Sequence, residues 1–227
     1  ITALTDTLNT NSAFIKEFFN SFTPYQTQPG ASVFTKKTDL FFKDLYSKDS
    51  LTKKKARAAI ANVYYGPDNI NRIHQFINAL KYGEEDYFEM KARFISELGY
   101  IDDSCCTDSV VRVLNDIYTR TADTSYFQNE AIWSLVNLKT KSSYNALKTL
   151  LLQDPPVFTD EDDYFSLFED MEDSLKLAAT LFPDILQLAT IQDYKEPVNN
   201  LLISLLDSGY ITAKDYEPYF GKMYFDA

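Results

Sequence analysis

The apolar pair Ile60/Val63 returns as Ile95/Leu98 and again as Leu135/Leu138, at intervals of 35 and 40 residues. Self-similarity at that period marks stacked helical hairpins, because one hairpin cannot bury its apolar face alone and must lean on its neighbour. The expectation is an all-α chain of antiparallel helix pairs stacked in sequence order, an α-α superhelix or α-solenoid. Composition agrees, since only six Gly stand among abundant Leu, Ala, Lys and Glu, which favours helix over sheet. At 227 residues the chain is near the upper size for one closed core, a limit that a row of hairpins escapes.

Local signals place the elements. Asn11 or Ser12 opens a first helix with Phe14, Phe18 and Phe22 on one face. Thr23-Pro24 stops it, and the stretch to about Ser32 reads as a Pro/Gly loop, so residues 1–35 stand apart. Repeats are expected over 36–156. A helix from Lys37 to Tyr46 turns Leu40, Phe41 and Leu45 inward. Lys53 to Tyr65 is the next, ended by Gly66-Pro67, and Asp68 caps a return helix carrying Ile70, Ile73, Phe76, Ile77 and Leu80. Gly83 closes that hairpin. Asp86 to Leu98 follows with Gly99 as a left-handed stop, then a helix with Val110, Val113, Leu114 and Ile117. The third unit runs from Thr124 or Ser125 to Leu138 and from Ser142 through Leu151, ended by Pro155-Pro156. Residues 157–227 continue the same stack with an acidic helix, a short helix over Asp184–Ala189, one from Glu196-Pro197 to Leu206, and a last one opened by the capping pair Thr212/Asp215.

A net charge of −11 argues against phosphate backbones and anionic lipid as partners. No run approaches the ~18 apolar residues a membrane-spanning helix needs, so no membrane insertion is expected. The chain opens on Ile1 without an initiator Met, which suggests a processed protein or, the preferred reading, a fragment of something larger. Cys105 and Cys106 are adjacent, with Cα atoms ~3.8 Å apart against the ~4.4 Å lower limit of ordinary disulfides, and are read as packing residues. His74 is the sole histidine, so any His-containing metal site or Ser/His relay would have to be built around it; between Ile73 and Phe76 of a predicted helix it reads as a plain surface or rim residue. The acidic run starting at Asp160 fails the calcium-loop pattern, with Phe165 where Gly belongs and Met171 where Glu belongs. No Gly-rich phosphate cradle exists. Glu84-Glu85-Asp86 and Asp102-Asp103 stand at helix starts, where interaction with the positive helix end, ~0.3–1 kcal/mol, already accounts for them. No enzyme activity, cofactor, metal or small-molecule ligand is therefore expected.

Residues 160 to 173 hold eight acids interleaved with Tyr164, Phe165, Phe168 and Met171, whose spacing predicts an amphipathic helix. Asp162, Asp163, Tyr164, Phe165 and Phe168 are the candidate contact residues for a protein partner. The abundance of Tyr and Phe suggests a second class, a glycan-binding helical protein with an aromatic groove; its one tryptophan, Trp133, lies between core positions and reads as packing.

Lys91-Ala92-Arg93-Phe94-Ile95-Ser96-Glu97-Leu98-Gly99 and Ala131-Ile132-Trp133-Ser134-Leu135-Val136-Asn137-Leu138 resemble the first helices of HEAT-like repeats. Across nearly the whole chain, Ser21-Phe22-Thr23-Pro24-Tyr25, Thr38-Asp39-Leu40-Phe41-Phe42, Leu151-Leu152-Gln153-Asp154-Pro155-Pro156 and Asp207-Ser208-Gly209-Tyr210 resemble the helical C-terminal region of large bacterial TraB/GumN-family proteins. That resemblance implies an accessory region of a periplasmic or cell-envelope protein, with the parent's catalytic domain as one partner. The family's hydrolase domain is associated with Gly-x-x-His segments, and here Asn71 stands where that Gly would precede His74, so no activity is implied. The expected function is a non-enzymatic interaction or scaffold module.

Overall fold

The computed structural model describes residues 13–21, 36–101, 106–121 and 125–219, and every regular element among them is helical. The expectations placed on Phe22, on the loop to Ser32 and on Asp102, Asp103, Cys105 and Thr124 lie outside the described residues. The chain divides into two compact units, Ile1–Lys37 and Thr38–Ala227. In the first, α1 (Ala13–Asn20) buries none of its side chains; Phe14, Phe18 and Phe19 are all exposed.

The second unit contains α2 (Thr38–Leu45), α3 (Ser50–Ala58), α4 (Ile70–Ala79), α5 (Tyr87–Leu98), α6 (Thr107–Arg120), α7 (Ser125–Asn137), α8 (Lys141–Gln153), α9 (Glu161–Glu172), α10 (Leu175–Ala178), α11 (Gln192–Asp207) and α12 (Ala213–Tyr216), with short 3-10 segments between several of them. Packing alternates. α5 lies on α7, α7 on α9 and α9 on α11, while α6 lies on α8 and α8 on the 3-10 segment Asp184–Thr190; α7 also touches α6 and α8. Like ends meet along the first row. Tyr87 packs on Phe127 and Ser134 Oγ donates to the Ile95 carbonyl between α5 and α7. Asn129 bonds the Val157 carbonyl before α9, and Lys139 pairs with Asp173 after it. Tyr164 packs on Tyr194, and Ser204 donates to Glu172, between α9 and α11. These four helices therefore run parallel, and their N-termini line one edge of the unit.

The core follows the sequence period. Ile60, Ile95, Leu98 and Leu135 are fully buried, with Val63 and Leu138 packed partly against them. Ile70, Ile73, Phe76 and Ile77 form the buried stripe of α4, and Gly83 closes that hairpin at φ +91°. Asp215 Oδ2 accepts from both the N–H and the hydroxyl of Thr212, at 3.0 and 2.6 Å, so the cap pair forms as read.

Five expectations need correction. The helix predicted over Lys53–Tyr65 is α3 followed by a separate 3-10 turn, Ile60–Asn62, fixed where the Tyr65 hydroxyl donates to the Ile60 carbonyl at 2.9 Å. In α2 it is Phe42 that goes inward with Phe41 and Leu45; Leu40 is exposed. Asp68 sits inside the turn Pro67–Asn69, and the cap position of α4 belongs to Asn69, whose side chain makes no cap bond. Gly99 has φ −68°, an ordinary helical value, and its requirement is space: a Cβ there would meet the Ser134 Cα at 2.8 Å. α11 begins at Gln192, so Pro197 lies buried inside the helix, where its missing N–H leaves one rung of the ladder unmade.

Candidate functional site

The acidic stretch folds as expected into α9, with Asp160 Oδ1 accepting from the Asp162 N–H at 3.1 Å and Glu161, Asp162 and Asp163 in the first turn. Its rings do not face solvent. Tyr164 is 5% exposed and Phe168 2%; the Tyr164 ring is wedged between Phe158 and Tyr194, with centroids 4.8 and 4.9 Å away. These two expected contact residues are corrected to core, because the row needs their apolar area against α11. Asp162 is exposed, and Asp163 and Phe165 are half-buried. Phe165, with Glu161, Asp193, Lys195, Glu196 and Asn199, lines an open groove of about 410 Å³ between the N-terminal ends of α9 and α11.

The link from α8 to α9 explains the burial. Asp154-Pro155-Pro156-Val157-Phe158 must cross near the core, where prolines supply no donors and each carbonyl needs one. Tyr118 donates its hydroxyl to the Asp154 carbonyl, Tyr194 to the Pro156 carbonyl at 2.5 Å, and Asn129 Nδ2 to the Val157 carbonyl at 3.3 Å. The Phe158 N–H donates to the Tyr164 hydroxyl at 3.2 Å. Burial, more than the nearby Asp154 carboxylate, pushes the Tyr118 phenol up, and burial does the same to Tyr194.

The same edge carries an aromatic ledge between α5 and α7. Tyr82, Phe88 and Tyr126 are 82%, 45% and 48% exposed, and their rings touch in series, Tyr82 to Phe88 at 6.0 Å and Phe88 to Tyr126 at 6.4 Å. Beneath them Tyr87 and Phe127 close the cluster: Phe88 stacks on Phe127 at 5.6 Å and 16°, and Lys91 Nζ lies 4.5 Å from the centre of the Phe127 ring. Desolvation first, then the Glu130 and Glu89 carboxylates, raises the Tyr126 phenol. The sequence held a signal for the ledge: Tyr87-Phe88 and Tyr126-Phe127 are aromatic doublets 39 residues apart, within the range of the repeat interval.

Elsewhere the chemistry is structural. His74 Nε2 lies 3.1 Å from Asp116 Oδ2, and Asp116 also holds Arg120 at 2.7 Å, a rim network between α4 and α6. Trp133 leans on Phe158 with centroids 5.2 Å apart, partly buried against the core, and Cys106 is half-buried at the start of α6. Among the described residues no group of three or more His, Cys, Asp or Glu is placed to hold a metal ion, and no helix is long and apolar enough to cross a membrane. Comparison with protein-family models, characterised proteins and solved structures gave no match.

Proposed function

We propose that the chain is a non-enzymatic helical-repeat interaction module, a HEAT-like α-solenoid that holds a protein partner against the edge formed by the N-termini of α5, α7, α9 and α11. The alternate packing of the helices supports the solenoid reading, since equivalent helices of successive hairpins run parallel in such a stack. One observation carries the interaction reading: the exposed rings of Tyr82, Phe88 and Tyr126 are contiguous and backed by a rigid second tier. A free surface of that kind exposes apolar area to water at about 25 cal/mol per Å², and covering it drives association. The partner is a separate protein or, following the TraB/GumN resemblance, a catalytic domain of a larger envelope protein.

The test is quantitative affinity capture from a bacterial envelope extract with the wild-type chain and with Phe88→Ser/Tyr126→Ser, both checked for equal helical content. Substitution of two central rings is expected to lower recovery of the partner by about tenfold or more. Equal recovery by both chains, or none above the bare matrix, removes the reading.

A further inference from the structure

We infer that the segment held on this edge is a proline-rich peptide in the left-handed polyproline conformation, laid across the rings of Tyr82, Phe88 and Tyr126. The inference rests on the interaction reading above and specifies the partner's chemistry at that same ledge.

The fold narrows the ways in which a peptide can be recognised here. Strand addition needs a sheet edge, and every regular element among the described residues is helical. Capture of a phosphorylated or acidic motif needs free arginines, yet Arg57 holds Asp86 at 3.1 Å and Glu85 at 3.5 Å, and Arg93 holds Glu89 at 2.7 Å. An amphipathic helix needs a trough into which its anchors sink, whereas these three rings stand out in solvent, Tyr82 most of all. Polyproline recognition asks for exposed aromatic rings in a row, which the ledge supplies. Successive rings are turned on edge, Phe88 at 89° to Tyr82 and Tyr126 at 70° to Phe88. Each change of plane is a shallow step against which a flat pyrrolidine ring packs.

Hydrogen bonding selects the same class of partner. Among the described residues the hydroxyls of Tyr82 and Tyr126 have no hydrogen-bond partner, so the ledge offers two free donors. A polyproline segment makes no internal hydrogen bonds and its prolines have no N–H, so it brings carbonyl acceptors and few donors. A helical partner has already spent its carbonyls on its own backbone. Charge agrees with an uncharged segment. Glu85, Asp86 and Glu89 are matched by the two arginines, Lys81 and Glu84 on either side of Tyr82 cancel in formal charge, and Glu130, one turn past Tyr126, is half-buried.

The ring centroids step by 6.0 and 6.4 Å, so the ledge is at most about 12 Å long. Polyproline rises ~3.1 Å per residue with three residues per turn, so about four residues cover the ledge, and prolines three apart share one face ~9 Å from each other. The expected core motif is Pro-x-x-Pro.

The test uses the full chain as bait for a displayed library of random peptides of about 12 residues, long enough to overhang the ledge at both ends. Pro-x-x-Pro sequences are expected to be enriched. A labelled representative should lose about tenfold in affinity on Phe88→Ser/Tyr126→Ser and about fivefold on Tyr82→Phe/Tyr126→Phe, which keeps the rings and removes only the donors, with helical content unchanged in both. Pro-x-x-Pro peptides that bind equally well after either pair of substitutions overturn the inference. So does enrichment of apolar peptides without that motif; if these weaken on Phe88→Ser/Tyr126→Ser, the interaction reading stands without it. No enrichment over the bare support overturns it as well, and the capture from envelope extract then decides the interaction reading by itself.

Discussion

Tyr194 shows how much one hydroxyl can hold at the residue scale. Its donor is the partner of the Pro156 carbonyl, which lies 38 residues away in sequence and has no water to turn to. Phe fits the same cavity but leaves that carbonyl unsatisfied, so Tyr194→Phe is expected to destabilise the chain by about 1–3 kcal/mol in urea unfolding, with little change in the slope. Tyr82→Phe, on the exposed ledge, serves as the control and should stay within about 0.5 kcal/mol. An unchanged midpoint for Tyr194→Phe would show that the link from α8 to α9 does not depend on this bond. From sequence, Pro155-Pro156 reads as a stop, which it is; that the stop is tied down by Tyr118, Asn129 and Tyr194 is a tertiary fact with no local signature.

Elements were legible where the apolar period was long. The stripe of α4 and the amphipathic α9 lie where their spacing puts them, and the Thr212/Asp215 pair caps α12 because that interaction is complete within four residues. Short elements failed. In the eight residues of α2, Leu40-Phe41-Phe42 offers three consecutive apolar positions, and about two turns are too few to fix their phase, so the spacing points Leu40 inward where Phe42 belongs. The candidate site is half legible: Asp162 is exposed and Asp163 and Phe165 are half-buried, whereas Tyr164 and Phe168 are consumed by packing on α11, and the ledge shows in the sequence only as the doublets Tyr87-Phe88 and Tyr126-Phe127.

Gly99 is the clearest case of a right residue read for the wrong reason. At φ −68° an alanine has no backbone objection, and by propensity alone it should help the helix end. Its Cβ, however, would lie 2.8 Å from the Ser134 Cα and 3.0 Å from the Ser134 carbonyl oxygen, backbone atoms that move only with α7. Gly99→Ala is therefore expected to cost about 1–3 kcal/mol through the α5–α7 crossing. Thermal unfolding checks it. Equal or higher stability would mean that the two helices separate at little cost.

At the scale of the whole molecule the buried tyrosines couple the helical core to pH. Burial pushes the Tyr144 phenol up to about 12, and it also raises Tyr65, Tyr118 and Tyr194, with Glu97, Asp154 and Tyr164 adding to the respective shifts. Released by unfolding, each phenol ionises near pH 10. Between about pH 10 and 12 the unfolded chain thus binds fewer protons than the folded one, so the stability these groups contribute is present in full below pH 10 and declines as pH rises. All four act with the same sign, and they are spread from the turn after α3 to α11, so helical circular dichroism and tyrosinate absorbance of the buried set should change together in one steep alkaline step. Tyr194→Phe removes one titrating group, which makes the loss of stability with pH shallower by about 1.4 kcal/mol per unit even though the variant starts lower at neutral pH. Buried phenols that ionise near pH 10 while the helices persist would contradict this coupling, because charge would then enter the core without opening it.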